Sequence, residues 1–234
     1  MQRTLLTATP LLIGLLAFTA QGQSPETPAA PEAPAAPSTP TAESVLQGIQ
    51  SFYKDSKDLK AGFTQHYTYK VHKRTQKSSG TVFFKKPRRM RWDYRKPIPK
   101  VFMADGNTLW VYEPEEAQVF KRDLSRAQLP VALTFMSGEG DLTTEFNAEL
   151  LTPKDPAKDH LVKLTPKRDQ GHYKSLTLSV DPKTYQVRES TVIDPVGNIN
   201  RVVFQDLKTN VGLPDAGFTF KVPNGVKVIE GEGR

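Results

Sequence analysis

Four histidines, His66, His72, His160 and His172, are the residues of this chain best suited to proton transfer or metal ligation. His66 and His72 fall on one face of a predicted strand, but six residues at ~3.3 Å each put them about 20 Å apart, too far to share an ion. His160 and His172 flank a predicted hairpin with its turn near Asp169, which pairs each with other residues. Glu113, Glu115 and Glu116 cluster at a Glu-Pro turn signal, where solvated surface is expected rather than acid–base work. No GxSxG, HExxH, P-loop or GxGxxG pattern occurs. Cysteine is absent, which removes thiol nucleophiles, disulfides and thiolate-held metals. The expectation is a protein that is not an enzyme, with no cofactor and no metal.

What remains is charge and apolar surface. Between Lys70 and Lys100 stand twelve Lys and Arg residues and one acid, Asp93, whereas the rest of the chain is nearly balanced. The formal net charge of +7 is therefore local to this strip. It reads either as a solvated basic face or as a surface that meets anionic lipid headgroups or an acidic partner protein. Interleaved aromatics would suit nucleic acid in a cytosolic protein, but the N-terminus described below argues for export, and no nucleic acid is expected.

The same stretch carries the strongest apolar pattern. From Gly80 to Tyr112 apolar and aromatic residues recur with a period of two, the pattern of strands with one greasy face. Val82, Phe84, Met90, Trp92 and Tyr94 share one parity, with the Lys85-Lys86-Pro87 break between the two runs. Leu109 to Tyr112 reads as a strand that is apolar on both faces.

The elements that must position these residues follow from periodicity and turn chemistry. Ala61, Phe63, Gln65, Tyr67, Tyr69 and Val71 alternate with polar neighbours and predict a long, half-buried first strand. Turn signals at Ser78-Ser79-Gly80, Asp105-Gly106-Asn107, Glu113-Pro114, Asp181-Pro182, Val196-Gly197-Asn198, Leu213-Pro214-Asp215 and Asn224-Gly225 separate further runs. Those runs are Val101 to Ala104, Ala117 to Arg122, His160 to Pro166, Tyr173 to Val180, Val187 to Ile193, Ile199 to Thr209 and Phe218 to Val222. The spacing predicts a meandering antiparallel sheet that curls, as a sandwich or an open barrel. Two segments are helical in character. Val45, Leu46, Ile49, Phe52 and Tyr53 form one stripe on a helix over Thr41 to Lys54, and Pro130 to Met136 is a short apolar helix closed by Ser137-Gly138.

Upstream lie two segments of other kinds. Residues 1–22 have Arg3, an apolar run from Leu5 to Phe18 and Ala20-Gln21-Gly22 as a small-x-small site, the pattern of a cleaved signal peptide. The run is short of the ~20 residues a membrane span needs. Residues 23–40 place proline at every third position from Pro25 to Pro40 and predict an extended Pro/Ala-rich linker. The folded domain is then expected over residues 41–234, in the periplasm.

The order of parts, a Gly-led strand, Lys-Lys-Pro, a strand with Arg91-Trp92-Asp93-Tyr94, then Asp105-Gly106 leading to Leu109-Trp110-Val111-Tyr112-Glu113-Pro114, closely resembles the outer-membrane lipoprotein carrier family, LolA. Phe63-Thr64-Gln65, Pro130 to Gly138 and Phe218 to Val226 extend the resemblance to roughly 180 residues. It implies a mainly β (α+β) fold, an unclosed antiparallel half-barrel whose hydrophobic cavity is covered by a helical lid. It also implies a monomeric periplasmic carrier of acylated lipoproteins, which takes them from an inner-membrane transporter to an outer-membrane acceptor lipoprotein with transient membrane contact. The missing Cys rules the chain out as that acceptor, since no acyl anchor can be attached. An exported lipid or lipoprotein sensor of the same fold is the alternative.

By family position the cavity falls to Phe63, Val82, Phe84, Met90 and Trp92 on the sheet and to Leu46, Ile49, Phe52, Val131 and Leu133 on the lid. Read from the residues alone, Phe63, Val82, Phe84, Met90, Trp92 and Leu133 are core, and it is the resemblance that makes them a cavity. The family's latch, an Arg before Pro that bonds the lid, corresponds to Lys86, so the role rests on an ammonium or passes to Arg88 or Arg89. One of the family's paired aromatics is Met90 here, which keeps the site apolar and makes it more adaptable.

Overall fold

The computed structural model describes residues 40–124, 135–137, 140–155, 158–168, 171 and 173–231. The expected signal peptide, most of the proline-rich linker and Pro130 to Thr134 lie outside them. Among the described residues twelve strands make one sheet: β1 (Asp58–Tyr69), β2 (Arg74–Lys85), β3 (Arg89–Lys96), β4 (Lys100–Asp105), β5 (Thr108–Glu113), β6 (Gln118–Asp123), β7 (Phe146–Leu151), β8 (His160–Pro166), β9 (Ser175–Val180), β10 (Val187–Ile193), β11 (Ile199–Thr209) and β12 (Lys227–Glu230). The spatial order is β12-β6-β5-β4-β3-β2-β1-β11-β10-β9-β8-β7, a linear order whose two end strands do not pair. Every pairing is antiparallel except β12 on β6. The sheet is thus mainly antiparallel and unclosed, as expected.

The register places the alternating residues as their period requires. Gly80 faces Tyr94, Val82 faces Trp92 and Phe84 faces Met90 across β2 and β3, and Phe63 faces Phe204 across β1 and β11. Directly opposed side chains share a face, so the two runs separated by Lys85-Lys86-Pro87 continue one apolar surface. Strands β8 and β9 extend it with Val162, Leu164, Leu176, Leu178 and Val180, all fully buried.

This face is covered by helix α1 (Ala42–Asp55). Thr41 caps it: the hydroxyl accepts from the Ser44 N–H at 3.1 Å, and Ser44 Oγ returns a bond from the Thr41 N–H at 3.0 Å. That reciprocal box satisfies two otherwise orphaned donors. At the other end the Ser56 hydroxyl donates to the Phe52 carbonyl at 2.8 Å. Val45, Leu46, Ile49 and Tyr53 are buried at the 3.6-residue spacing of one helical face. Gly48 admits the Tyr185 ring, since a Cβ there would stand 2.3 Å from it. The short helix α2 (Leu142–Glu145), capped by Asp141, and a 3-10 turn at Phe135–Ser137 sit beside α1. Of the apolar helix expected over Pro130 to Met136, only Phe135 and Met136 are among the described residues, and they lie in this 3-10 turn.

The opposite face is covered by a feature the sequence does not announce. Phe218 to Val222, expected as a strand, is instead a 3-10 turn (Asp215–Phe218) followed by chain without ladder pairing. This strap crosses β3 to β5: the Phe220 ring stacks on Trp110 at 5.3 Å and meets Tyr112 at 5.6 Å, and Phe218 is buried. The strand Leu109 to Tyr112 is apolar on both faces because both are covered. Strands β7 and β12 were likewise not legible, being short and without clear alternation.

The strap is fastened by Asp58, a buried carboxylate that accepts from the N–H groups of Val211, Gly212 and Leu213 at 2.8, 3.1 and 3.0 Å. Removing such an acceptor leaves several donors unpaired at a cost of roughly 1–3 kcal/mol. Asp58→Ala is expected to lower unfolding free energy by about 2 kcal/mol in urea titration, and an unchanged midpoint would remove Asp58 from that role.

Candidate functional site

The sheet side of the apolar layer is built around an aromatic group. Phe63 contacts Trp92 at 4.8 Å and Tyr94 at 4.9 Å, both edge-on, and Trp92 meets Phe84 at 6.1 Å and Phe204 at 6.3 Å. Strand β1 sets Phe63, β2 sets Val82 and Phe84, and β3 sets Met90, Trp92 and Tyr94, all on the α1 face. Edge-to-face aromatic contacts add ~0.5–1.5 kcal/mol each beyond burial and hold ring positions. Gly80 permits the close approach, because a Cβ there would fall 1.9 Å from the Asp93 carbonyl oxygen and 2.9 Å from the Phe63 ring.

Of the ten cavity residues expected, eight are described and all eight meet in one cluster: Phe63, Val82, Phe84, Trp92, Leu46 and Ile49 buried within it, Phe52 and Met90 half-buried against it. Val131 and Leu133 lie outside the described residues. The cluster is wider than the sequence suggested. Tyr53 from α1, Phe135 and Met136 from the 3-10 turn, Phe146, and the buried aliphatics of β8 to β11 belong to it, with Phe102 at its margin. The alternation in His160 to Pro166 and Tyr173 to Val180 carried that signal. Among the described residues no group of three metal-ligating side chains comes together.

Polar contacts fix the helix layer at its edges. The Lys86 ammonium donates to the Lys54 carbonyl at the last turn of α1, and the Lys86 N–H donates to the Lys57 carbonyl at 3.0 Å. Cations suit a helix C-terminus, where carbonyls lack intrahelical partners. Partial burial lowers the Lys86 pKa from the ordinary lysine value; Asp55 acts against the shift and Lys54 with it. Gln50 bridges to the α2 side, donating to the Gly140 carbonyl at 3.2 Å and accepting from Leu142 N–H at 3.1 Å. The Tyr53 hydroxyl accepts from Val187 N–H at 3.1 Å, and burial raises its pKa far above the usual phenol range.

The other two latch candidates are placed differently. Arg89 pairs with Asp215 of the strap at 2.7 Å, beside Lys85 at 2.6 Å, so it serves the opposite face. Arg88 is exposed in the Lys86–Arg88 turn with φ 56°. The basic strip is accordingly not one surface. Lys85, Arg89 and Arg91 hold the strap, with Arg91 donating to the Gly217 carbonyl at 3.2 Å; Lys86 meets the helix; Lys100 pairs with Glu113 at 2.6 Å.

The family described as outer membrane lipoprotein carrier protein LolA matches residues 54–221. Among curated relatives, an outer-membrane lipoprotein carrier protein of Cupriavidus pinatubonensis is 30% identical over 192 residues, covering 78% of this chain and 85% of its own length. One of Dechloromonas aromatica is 29% identical over 184 residues, covering 77% and 85%. A solved structure of an uncharacterized conserved protein from Thermus thermophilus is similar in fold, with TM-score 0.54 at 13% identity over 81% of this chain and 98% of that one.

Two outcomes are expected from these contacts. Lys86→Ala removes a charge-assisted bond of roughly 1.5 kcal/mol, so binding of an apolar dye to the purified protein should rise about tenfold, while Lys86→Arg should lower it. Equal dye binding by all three proteins would deny Lys86 a latching role. Burial pushes the Tyr94 pKa up to about 12, against a hydrogen bond with Gln65. Unfolded tyrosine releases its proton near 10.0, so between about pH 10 and pH 12 the unfolded state holds fewer protons and rising pH favours unfolding. Stability measured by denaturant titration should be level below that window and fall across it, with Tyr94 contributing about 3 kcal/mol of the fall, so that Tyr94→Phe falls by correspondingly less.

Proposed function

Because the chain belongs to the LolA family of outer membrane lipoprotein carrier proteins, we propose that it carries acylated lipoproteins through the periplasm, sheltering their acyl chains between the sheet and the α1 layer. The observation that supports this site is the single apolar cluster shared by both layers, joined at its rim by replaceable hydrogen bonds and not by covalent links. Such a layer can lift when another apolar surface takes its place.

The energetics set the requirement. Burial of each methylene is worth ~0.8 kcal/mol, so a chain of about fifteen carbons left in water costs on the order of 12 kcal/mol. A carrier must match most of that and still release. Phe63, Val82, Phe84, Met90 and Trp92 offer the sheet wall, and Leu46, Ile49, Phe52 and, from family position, Val131 and Leu133 the lid wall. The contacts that close the site are individually weak, so acyl chains can displace α1 without nucleotide hydrolysis by the carrier itself. Loading comes from an inner-membrane lipoprotein-releasing transporter and delivery goes to an outer-membrane acceptor lipoprotein, with the carrier acting as a monomer. Residues 1–22 act as the export signal and residues 23–40 as a spacer.

The test is to incubate the protein with inner-membrane vesicles and identify by mass spectrometry what it brings into the soluble fraction. Triacylated lipoproteins that then pass to outer-membrane vesicles are expected; a retained lipid with no hand-over would favour a sensor. Met90→Glu places a carboxylate against the cluster and should reduce loading at least tenfold with circular dichroism unchanged, whereas a folded variant that loads fully would remove Met90 from the site.

A further inference from the structure

The strands β1 and β11 are neighbours, so the β1–β2 turn (residues 70–73) and the β10–β11 turn (residues 194–198) project together from one end of the sheet. Thr68 pairs with Ile199 and Tyr67 with Asn200 at their base. The two turns are tied side by side: Lys70 N–H donates to Asn198 Oδ1 at 3.0 Å, and the Lys70 side chain lies over Gly197, where a Cβ would stand 2.6 Å from its Cδ. Asn198 is held in turn by Asp194, which accepts from its N–H and from Nδ2 at 2.8 Å each.

This fixed double tip presents unusual side chains to solvent. Val71 is 81% exposed and Val196 66%, the two most exposed large apolar residues described, with Tyr69 and Ile199 at 37% and 38% behind them. Exposed valines at turn tips gain nothing for the fold. Lys70, Lys73 and Arg74 flank them and Lys77 lies further back on β2, opposite His66; all four are exposed, and none takes part in an ion pair among the described residues. No acid occurs from Tyr69 to Ser79. Asp194 is engaged by Asn198, and Glu189 by Arg201 at 2.7 Å.

We propose that the paired tips are a docking surface for a bilayer bearing anionic phospholipid, with Val71 and Val196 entering the headgroup–acyl boundary and the four cations meeting phosphates. Few apolar side chains ringed by cations suit a lipid interface, where each nearby Lys or Arg adds about fivefold to partitioning. They are too few and too pointed for the ~800 Å² per partner that a stable protein interface buries. Tyr67 and Tyr69, in ring contact at 4.8 Å, stand at the depth where amphipathic rings favour the interface. This surface does not involve the acyl site, and its test is independent of the carrier reading.

The absence of cysteine makes a single label unambiguous. Val71→Cys, carrying an environment-sensitive dye, is mixed with vesicles free of lipoprotein, of phosphatidylcholine alone or of phosphatidylcholine with phosphatidylglycerol, each with or without brominated acyl chains. The expected result is a blue shift and bromine quenching on the phosphatidylglycerol vesicles, weakening as salt rises. The same dye at Val211→Cys, next to the far end of β1, should stay unquenched. Adding Lys73→Glu and Arg74→Glu should reduce partitioning at least 25-fold, five for each cation lost. An unshifted dye, equal response to both vesicle types, equal quenching at both positions, or a shift produced only by an acidic protein would overturn the proposal.

Discussion

The structure depends on the burial of one apolar face. A sheet of twelve strands presents on that side Phe63, Val82, Phe84, Trp92, Leu164, Leu176, Leu178 and Val202, and a surface of this extent cannot be left to water. The α1 layer covers it through Val45, Leu46, Ile49 and Tyr53. Because the hydrophobic effect is non-directional, the sheet does not distinguish a leucine of α1 from the methylenes of an acyl chain. The carrier function proposed above rests on this lack of directionality, with an acyl chain taking the place of α1 on the same face.

Specific orientation comes from polar groups at the rim, and these meet at the start of β1. The Lys57 carbonyl receives Lys86 N–H from the β2–β3 turn, the Lys57 N–H bonds to Asn210 Oδ1 at 2.8 Å, and the adjacent Asp58 carboxylate gathers the first residues of the strap. One dipeptide thus joins the helix-bearing face to the strap-bearing face. Lys85, the last residue of β2, and Lys86, the first of the β2–β3 turn, serve opposite faces, the former pairing with Asp215 and the latter reaching the end of α1.

That division also changes the meaning of the basic stretch. Twelve cations between Lys70 and Lys100 look like one surface in the sequence. Once folded, Lys85, Arg89 and Arg91 hold the strap and Lys86 the helix, whereas Lys70, Lys73, Arg74 and Lys77 near the β1–β2 tip are exposed, as are Arg88, Arg95 and Lys96 elsewhere. A single charged run thereby performs internal fastening at one end of the sheet and faces solvent at the other.

Much of the apolar site was legible because strand and helix periods are local. The parity of Val82, Phe84, Met90, Trp92 and Tyr94, the α1 stripe with its Thr41 cap, and the strands His160 to Pro166, Val187 to Ile193 and Ile199 to Thr209 all follow from neighbours within a few residues. What the sequence could not determine were pairings between distant segments. The strap over Trp110, the parallel docking of β12 on β6, the partners of Lys86 and Arg89, and the joining of the β1–β2 and β10–β11 tips link residues up to about 155 positions apart. Periodicity states which face of an element is apolar. Only tertiary packing decides what lies against that face, since the apolar contact energy is much the same for many partners and the choice falls to chain connectivity and a few directional bonds.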